Sequence, residues 1–133
     1  IQRVFIKKTS TSLYDIIRRK SYTAFDSTVG REAWISLMPP NRASLQQRCN
    51  REGFNNASKI DDHNYYAKVR IGIIANQETN CSSADSYLGV GGIGSSGCSS
   101  DRPLRSHPSG NSARCYADNG DRDTITMSYI FVR

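Results

Sequence analysis

The sequence predicts an α+β domain, in which a central, mostly antiparallel β-sheet carries one or two short helices and long disulfide-pinned loops. Three observations point there. Residues 68–74, Lys-Val-Arg-Ile-Gly-Ile-Ile, are nearly continuous in apolar content, as an interior strand of a sheet would be. Residues 124–132, Thr-Ile-Thr-Met-Ser-Tyr-Ile-Phe-Val, are rich in strand-favouring side chains and suit a terminal strand. Cys49, Cys81, Cys98 and Cys115 form no CxxC pair and have no histidine at zinc spacing, so they suit disulfides better than a metal knuckle.

The elements follow in chain order. With 133 residues, 37% of them hydrophobic, the chain has the size of one domain, residues 1–133, with a modest core. Residues 2–8 alternate enough to predict a strand with Val4 and Ile6 on one face. Ser12 can cap a helix bearing Leu13, Ile16 and Ile17 on one stripe. Asp15 lies in its first turn and Arg18, Arg19 and Lys20 in its last, which complements the helix dipole and explains the basic run without a binding patch. A second short helix is predicted over Arg31–Met38, where Ala33, Trp34, Leu37 and Met38 recur at helical spacing and Pro39-Pro40 end it. Trp34, the only tryptophan, is assigned to core packing rather than to stacking on a sugar. Residues 41–66 are polar and mixed, with turns at Asn55-Asn56 and Asp61-Asp62. From Asn76 to Asp123, Gly, Ser, Asn and Asp dominate. That stretch is expected to be a long functional loop region pinned by a bridge.

Three disulfide connectivities are possible. Cys49 with Cys81 and Cys98 with Cys115 are preferred, because each closes a local loop around a polar or Gly/Ser-rich segment. Each bridge is worth about 3 to 4 kcal/mol on the loop-entropy model. An oxidising, extracellular location is therefore expected. Two glycosylation triplets, Asn56-Ala57-Ser58 and Asn80-Cys81-Ser82, agree with secretion. No stretch approaches the roughly 20 apolar residues of a membrane span. Ile1 opens the chain without a charged n-region and apolar h-region, so any signal peptide is expected to have been removed. The net charge of +6 sits in the first half, where residues 1–60 hold eleven Lys/Arg against four Asp/Glu. Aromatics are not interleaved with these cations as base stacking requires. The basic half is read as a solvated face, with no nucleic-acid partner and no membrane insertion.

Catalytic signatures are sparse. His63 and His107 are the only histidines, so a basic secreted ribonuclease, or an antimicrobial protein acting through residues 1–60, stands as the alternative function. Neither histidine sits in a recognisable motif, and no GxSxG elbow, HExxH or P-loop occurs. Binding without catalysis is the expectation. The run Leu88 to Gly94 lacks the strand-loop-helix context of a dinucleotide loop, so its glycines are read as permitting turns beside a ligand or a neighbouring strand. Asp118-Asn119-Gly120-Asp121-Arg122-Asp123 has the oxygen density of a calcium loop, with Asp118, Asp121 and Asp123 as ligands, but lacks a distal bidentate Glu. A tight acidic turn is the competing reading, so the cofactor is none or Ca2+. A sugar site needs planar polar groups for hydroxyls and a flat face for the ring. Asn76, Glu78, Asn80, Asp85, Asp101 and Arg114 offer the first, and Tyr87, Tyr116 and His107 the second.

Four segments carry a family resemblance: Arg48-Cys49-Asn50-Arg51-Glu52-Gly53-Phe54-Asn55; Val69 to Glu78; Cys81 followed by Tyr87-Leu88-Gly89-Val90-Gly91-Gly92; and Asp123 to Arg133. Over roughly the last two-thirds of the chain, their order resembles the C-terminal part of intelectin-like lectins, relatives of the fibrinogen-like domain. The resemblance implies a fibrinogen-C-terminal/intelectin-like fold, supports pairing Cys49 with Cys81, and places the ligand site in the glycine-rich loop and the polar stretch after it. It also implies a calcium ion held just after Cys81. There this chain reads Ser82-Ser83-Ala84-Asp85-Ser86, which keeps only Asp85 as a good hard-cation ligand, so direct hydrogen bonding stands beside calcium as a binding mode. In size, basic pI and cysteine number the chain is also similar in format to small sponge-type galactose-binding lectins. Galactose-containing glycans are the expected partners, bound multivalently by a homo-oligomer.

Overall fold

The computed structural model describes residues 24–43, 45–58, 67–84, 86–94, 105–112 and 123–131. Six antiparallel strands form one sheet in sequence order: β1 (Phe25–Asp26), β2 (Arg48–Ala57), β3 (Ala67–Asn76), β4 (Ser86–Gly94), β5 (Arg105–Ser112) and β6 (Asp123–Ile125). One short helix, α1 (Arg31–Ile35), lies between β1 and β2, and a single 3-10 turn, Cys81–Ser83, lies between β3 and β4. Among the described residues the domain is therefore mostly β, and the α+β expectation fits only loosely. The strand expected over 2–8 and the helix beginning at Ser12 lie outside the described residues.

Successive residues of a strand face opposite sides of its sheet, and apolar material is packed on both sides here. On one side Ile73, Ala75 and Leu88 are buried with Trp34, Met38 and Leu45, so α1 and the chain after it cover this face. Burying each large side chain there contributes about 1.5–3 kcal/mol. Ile74 and Tyr87, next along the same strands, join Ala67, Val69 and Ala84 in a second cluster, against which Cys49 packs. Tyr87 is 0% exposed. It was expected to offer a flat surface to a sugar, and that expectation is corrected: its ring lies over Gly92, where an added Cβ would overlap it.

A row of glycines crosses the sheet. Gly53 pairs with Gly72, Gly72 with Gly89, and Gly89 with Gly110. Side-chain parity is kept across this row, Ile71 and Ile73 packing on the same side, and changes before it, between Val69 and Ile71, so that Val69 shares its cluster with Ile74. The strands approach so closely that a Cβ on Gly72 would overlap the Leu88 carbonyl oxygen, and one on Gly89 the Ile71 carbonyl oxygen. Of the glycines in residues 88–94, Gly89 thus serves a neighbouring strand, one of the two uses expected of them, whereas Gly92 makes room for the Tyr87 ring of its own strand.

Several expectations change. The region from Asn76 to Asp123 is not loop throughout, since it contains β4 and β5. Buried Ser86, Ser109, Asn111 and Ser112 stand where apolar residues mark most strands. The polar stretch 41–66 contains β2, stacked by Arg70, whose guanidinium carbon lies 4.5 Å from the centre of the Phe54 ring. The long terminal strand shortens to Asp123–Ile125, extended by one bond from Thr126 N to the Ser109 carbonyl. Beyond it Met127, Tyr129, Ile130 and Phe131 are exposed, Phe131 by 90%.

Candidate functional site

One end of the sheet carries the start of β2, the end of β3, the start of β4, the end of β5 and the start of β6. Arg48 pairs there with Asn76, Ala75 with Ser86, Tyr87 with Ser112, and Ser112 with Asp123. The loop Gln77–Ala84 belongs to this end, and the chain leaves β5 and enters β6 at the same place. The other end, where Gly94 pairs with Arg105, holds the connection from β4 to β5.

The Gln77–Ala84 loop is pinned by the Cys49–Cys81 disulfide, with Cα atoms 5.1 Å apart. This is one of the two bridges expected from the sequence. Cys98 and Cys115 lie outside the described residues. Cys49 and Asn50 have φ of 63° and 51°, and the register shifts between Arg48 and Arg51, so three steps on β2 span two on β3. Such a bulge adds one residue to a strand and re-aims its side chains. It is held by Asn50, which donates to the Gln47 carbonyl at 2.8 Å and accepts from the Arg31 guanidinium at 2.9 Å. Arg31 also donates to the carbonyls of Gln46 and Leu45. Burial lowers the Arg31 pKa, and the Glu32 carboxylate, 4.0 Å away, opposes that shift.

A polar network then orders the loop from inside. Buried Asn76 donates to the Asn80 carbonyl at 2.7 Å and to Ser83 Oγ at 2.9 Å, and accepts from Gln77 N at 2.9 Å. Gln46 donates to Gln77 Oε1 at 2.7 Å. Ser86 Oγ accepts from Gln46 N at 3.1 Å and donates to the Ala75 carbonyl at 3.1 Å. Asn80 caps the 3-10 turn, its Oδ1 accepting from Ser82 N at 3.0 Å and Ser82 Oγ at 2.7 Å. Buried polar groups satisfied in this way rigidify a loop. Reducing the disulfide, or replacing both cysteines by serine, is expected to cost about 3.5 kcal/mol by the loop-entropy model, read as a lower denaturant midpoint with a larger m-value, because the uncrosslinked denatured chain is less compact.

The expected site residues divide accordingly. Glu78 and Asn80 are exposed on the pinned loop. Asn76, expected to offer its amide to a ligand, is 1% exposed and holds the loop instead. Tyr87 starts inward from the same end and belongs to the core. Asp123 opens β6 at this end, paired with Ser112, whereas His107 pairs with Gly92 toward the other. Asp85, Asp101, Arg114, Tyr116, Asp118 and Asp121 lie outside the described residues, as does His63. No family model, curated protein or solved structure matches this chain. Among the described residues, no three His, Cys, Asp or Glu side chains gather at metal-holding spacing, and no helix is long and apolar enough to cross a membrane. Sequence reasoning missed Gln46 and Ser86, which order the loop, because isolated Gln and Ser carry no positional signal until a strand pairing brings them together.

Proposed function

We propose that this chain is a secreted carbohydrate-binding lectin of intelectin-like, fibrinogen-related type, taking terminal galactose or N-acetylgalactosamine without performing chemistry on it. What supports carbohydrate as the ligand is the disulfide-pinned polar loop Gln77–Ala84, exposing Glu78 at the end of the sheet where β5 and β6 also meet. A carboxylate is a planar group that accepts hydrogen bonds from vicinal hydroxyls, and a loop already ordered loses little entropy when a sugar arrives. The resemblance carried by Arg48–Asn55, Val69–Glu78, Cys81 with Tyr87–Gly92, and Asp123–Arg133 supports the same ligand class. The Cys49–Cys81 bond fits an oxidising compartment.

A single sugar site binds at about millimolar affinity, roughly 4 kcal/mol, so useful avidity needs several sites on one particle. We assign self-association to Ile125, Met127, Tyr129, Ile130 and Phe131, all exposed. Side chains of this size offer about 700 Å² per protomer, within the range of a standard interface when doubled.

A glycan array run with and without chelator tests the ligand class. The expected result is signal confined to glycans ending in galactose or N-acetylgalactosamine, at least tenfold weaker for Glu78→Ala at unchanged melting temperature. A flat array at millimolar free sugar removes the proposal, and loss of signal with chelator assigns the binding mode to calcium.

A further inference from the structure

We infer that Asn80 is an N-linked glycosylation site and that the other triplet, at Asn56, is closed. The two sites share the Asn-X-Ser pattern, and the fold separates them. Asn56 lies in β2 opposite Val69 and is 0% exposed, with no hydrogen-bond partner for either amide atom among the described residues. Its Ser58 is buried too, with Oγ donating to the Ala67 carbonyl at 3.0 Å and accepting from Ala67 N at 2.7 Å. A hydrated oligosaccharide on Asn56 Nδ2 would have to pass through packed interior, so a chain modified there cannot close the β2/β3 ladder.

Asn80 stands in the opposite situation. It is exposed, with φ −74° and ψ 116°, at the entrance to the Cys81–Ser83 turn. Its Oδ1 accepts from the backbone N and the hydroxyl of Ser82, the third residue of its own triplet. Among the described residues its Nδ2, the atom that takes the sugar, is left outside every hydrogen bond. In the transfer, Nδ2 attacks the anomeric carbon of an oligosaccharide carried on a lipid diphosphate. The N–C bond forms, the C–O bond to the diphosphate breaks, the diphosphate leaves with the electron pair, and one amide proton passes to the transferase. The product side chain points no bulk into either apolar cluster, because neither includes Asn80.

Timing adds a constraint. Cys81 occupies the middle of the triplet and bonds to Cys49, 32 residues earlier, whose thiol has already entered the compartment when Asn80 arrives. Closing that bond locks the turn, so transfer precedes it. The inference shares with the lectin proposal only the premise of secretion and does not depend on sugar binding.

The test is expression of the full chain behind a cleavable leader in a eukaryotic secretory host, with medium and cells both analysed. Enzymatic amidase release converts a glycosylated Asn to Asp, which peptide mass spectrometry assigns to its position. The expected result is conversion at Asn80 alone in the unaltered chain secreted to the medium, loss of the glycan in Asn80→Gln, and retention in Cys81→Ser, which keeps the triplet and frees it from the bond. Conversion at Asn56 in the secreted protein, no glycan in either fraction, or loss of the glycan in Cys81→Ser would overturn it. A glycosylated protein with a flat glycan array ends the lectin proposal and leaves this inference standing.

Discussion

Gly72→Ala and Gly89→Ala are each expected to destabilise the domain by about 4 kcal/mol or more, a large share of the net stability of a domain this size. The added methyl group at either position meets backbone of the adjacent strand: the Leu88 carbonyl oxygen and Gly89 Cα for Gly72, the Ile71 carbonyl oxygen and Gly72 Cα for Gly89. Backbone in the middle of a ladder cannot swing aside as a side chain can. Relief therefore means parting β3 from β4, which carry Ile73, Ile74, Tyr87 and Leu88, members of both apolar clusters. Gly30→Ala supplies the contrast. Gly30 has φ 95°, ψ 143° and nothing within 4 Å of an added Cβ, so only the backbone preference opposes substitution, at about 1–3 kcal/mol. Chemical denaturation followed by the emission of Trp34, the only tryptophan, measures all three. Equal losses at Gly30 and Gly72 would show that backbone conformation, not strand approach, governs the row.

The glycine row also explains which parts of the fold were legible. The β3 strand announces itself, because Val69, Ile71, Ile73 and Ile74 are apolar and β-branched, and α1 does so through Trp34 and the Pro39-Pro40 stop. The β4 and β5 strands read as loop because strands that approach through glycine and bury serine and asparagine lack the side chains by which strands are recognised. The β2 strand is hidden similarly, by Arg48, Asn50, Arg51 and Asn55. At the other extreme, Met127 to Phe131 have strand-forming side chains but leave the ladder after Thr126, since propensity alone supplies no neighbour to pair with. Of the candidate site, the Cys49–Cys81 link and exposed Glu78 were legible. The inward turns of Asn76 and Tyr87 were not, because alternation leaves one set of side chains exposed only where one side of a sheet meets water, and here apolar clusters cover both sides.

Glu52→Ala is expected to cost about 3 kcal/mol, because a buried donor left without its acceptor costs about 1–3 kcal/mol and three part-buried donors lose theirs as well. Glu52 is 7% exposed and occupies β2 opposite Ile73. Its carboxylate accepts from Ser27 Oγ at 2.9 Å, Val29 N at 3.1 Å, Gly30 N at 2.7 Å and Trp34 Nε1 at 2.6 Å. Gly30 has no side chain with which to cap α1, so this carboxylate, reaching in from the sheet, satisfies the first donors at the helix entrance. Truncation leaves the buried indole N–H without an acceptor and takes theirs from the half-buried or exposed donors of Ser27, Val29 and Gly30. Glu52→Gln keeps one acceptor oxygen but turns an amide N–H toward the remaining donors, and is expected to cost about half as much. Trp34→Phe removes the indole donor while keeping an aromatic ring in the core. A double-mutant cycle between Glu52→Gln and Trp34→Phe should return a coupling of about 1 kcal/mol or more, followed by far-UV circular dichroism because the tryptophan is absent from two of its corners. Additive losses would mean that the carboxylate holds α1 to the sheet through Val29 and Gly30 alone, with the indole contributing only its buried surface.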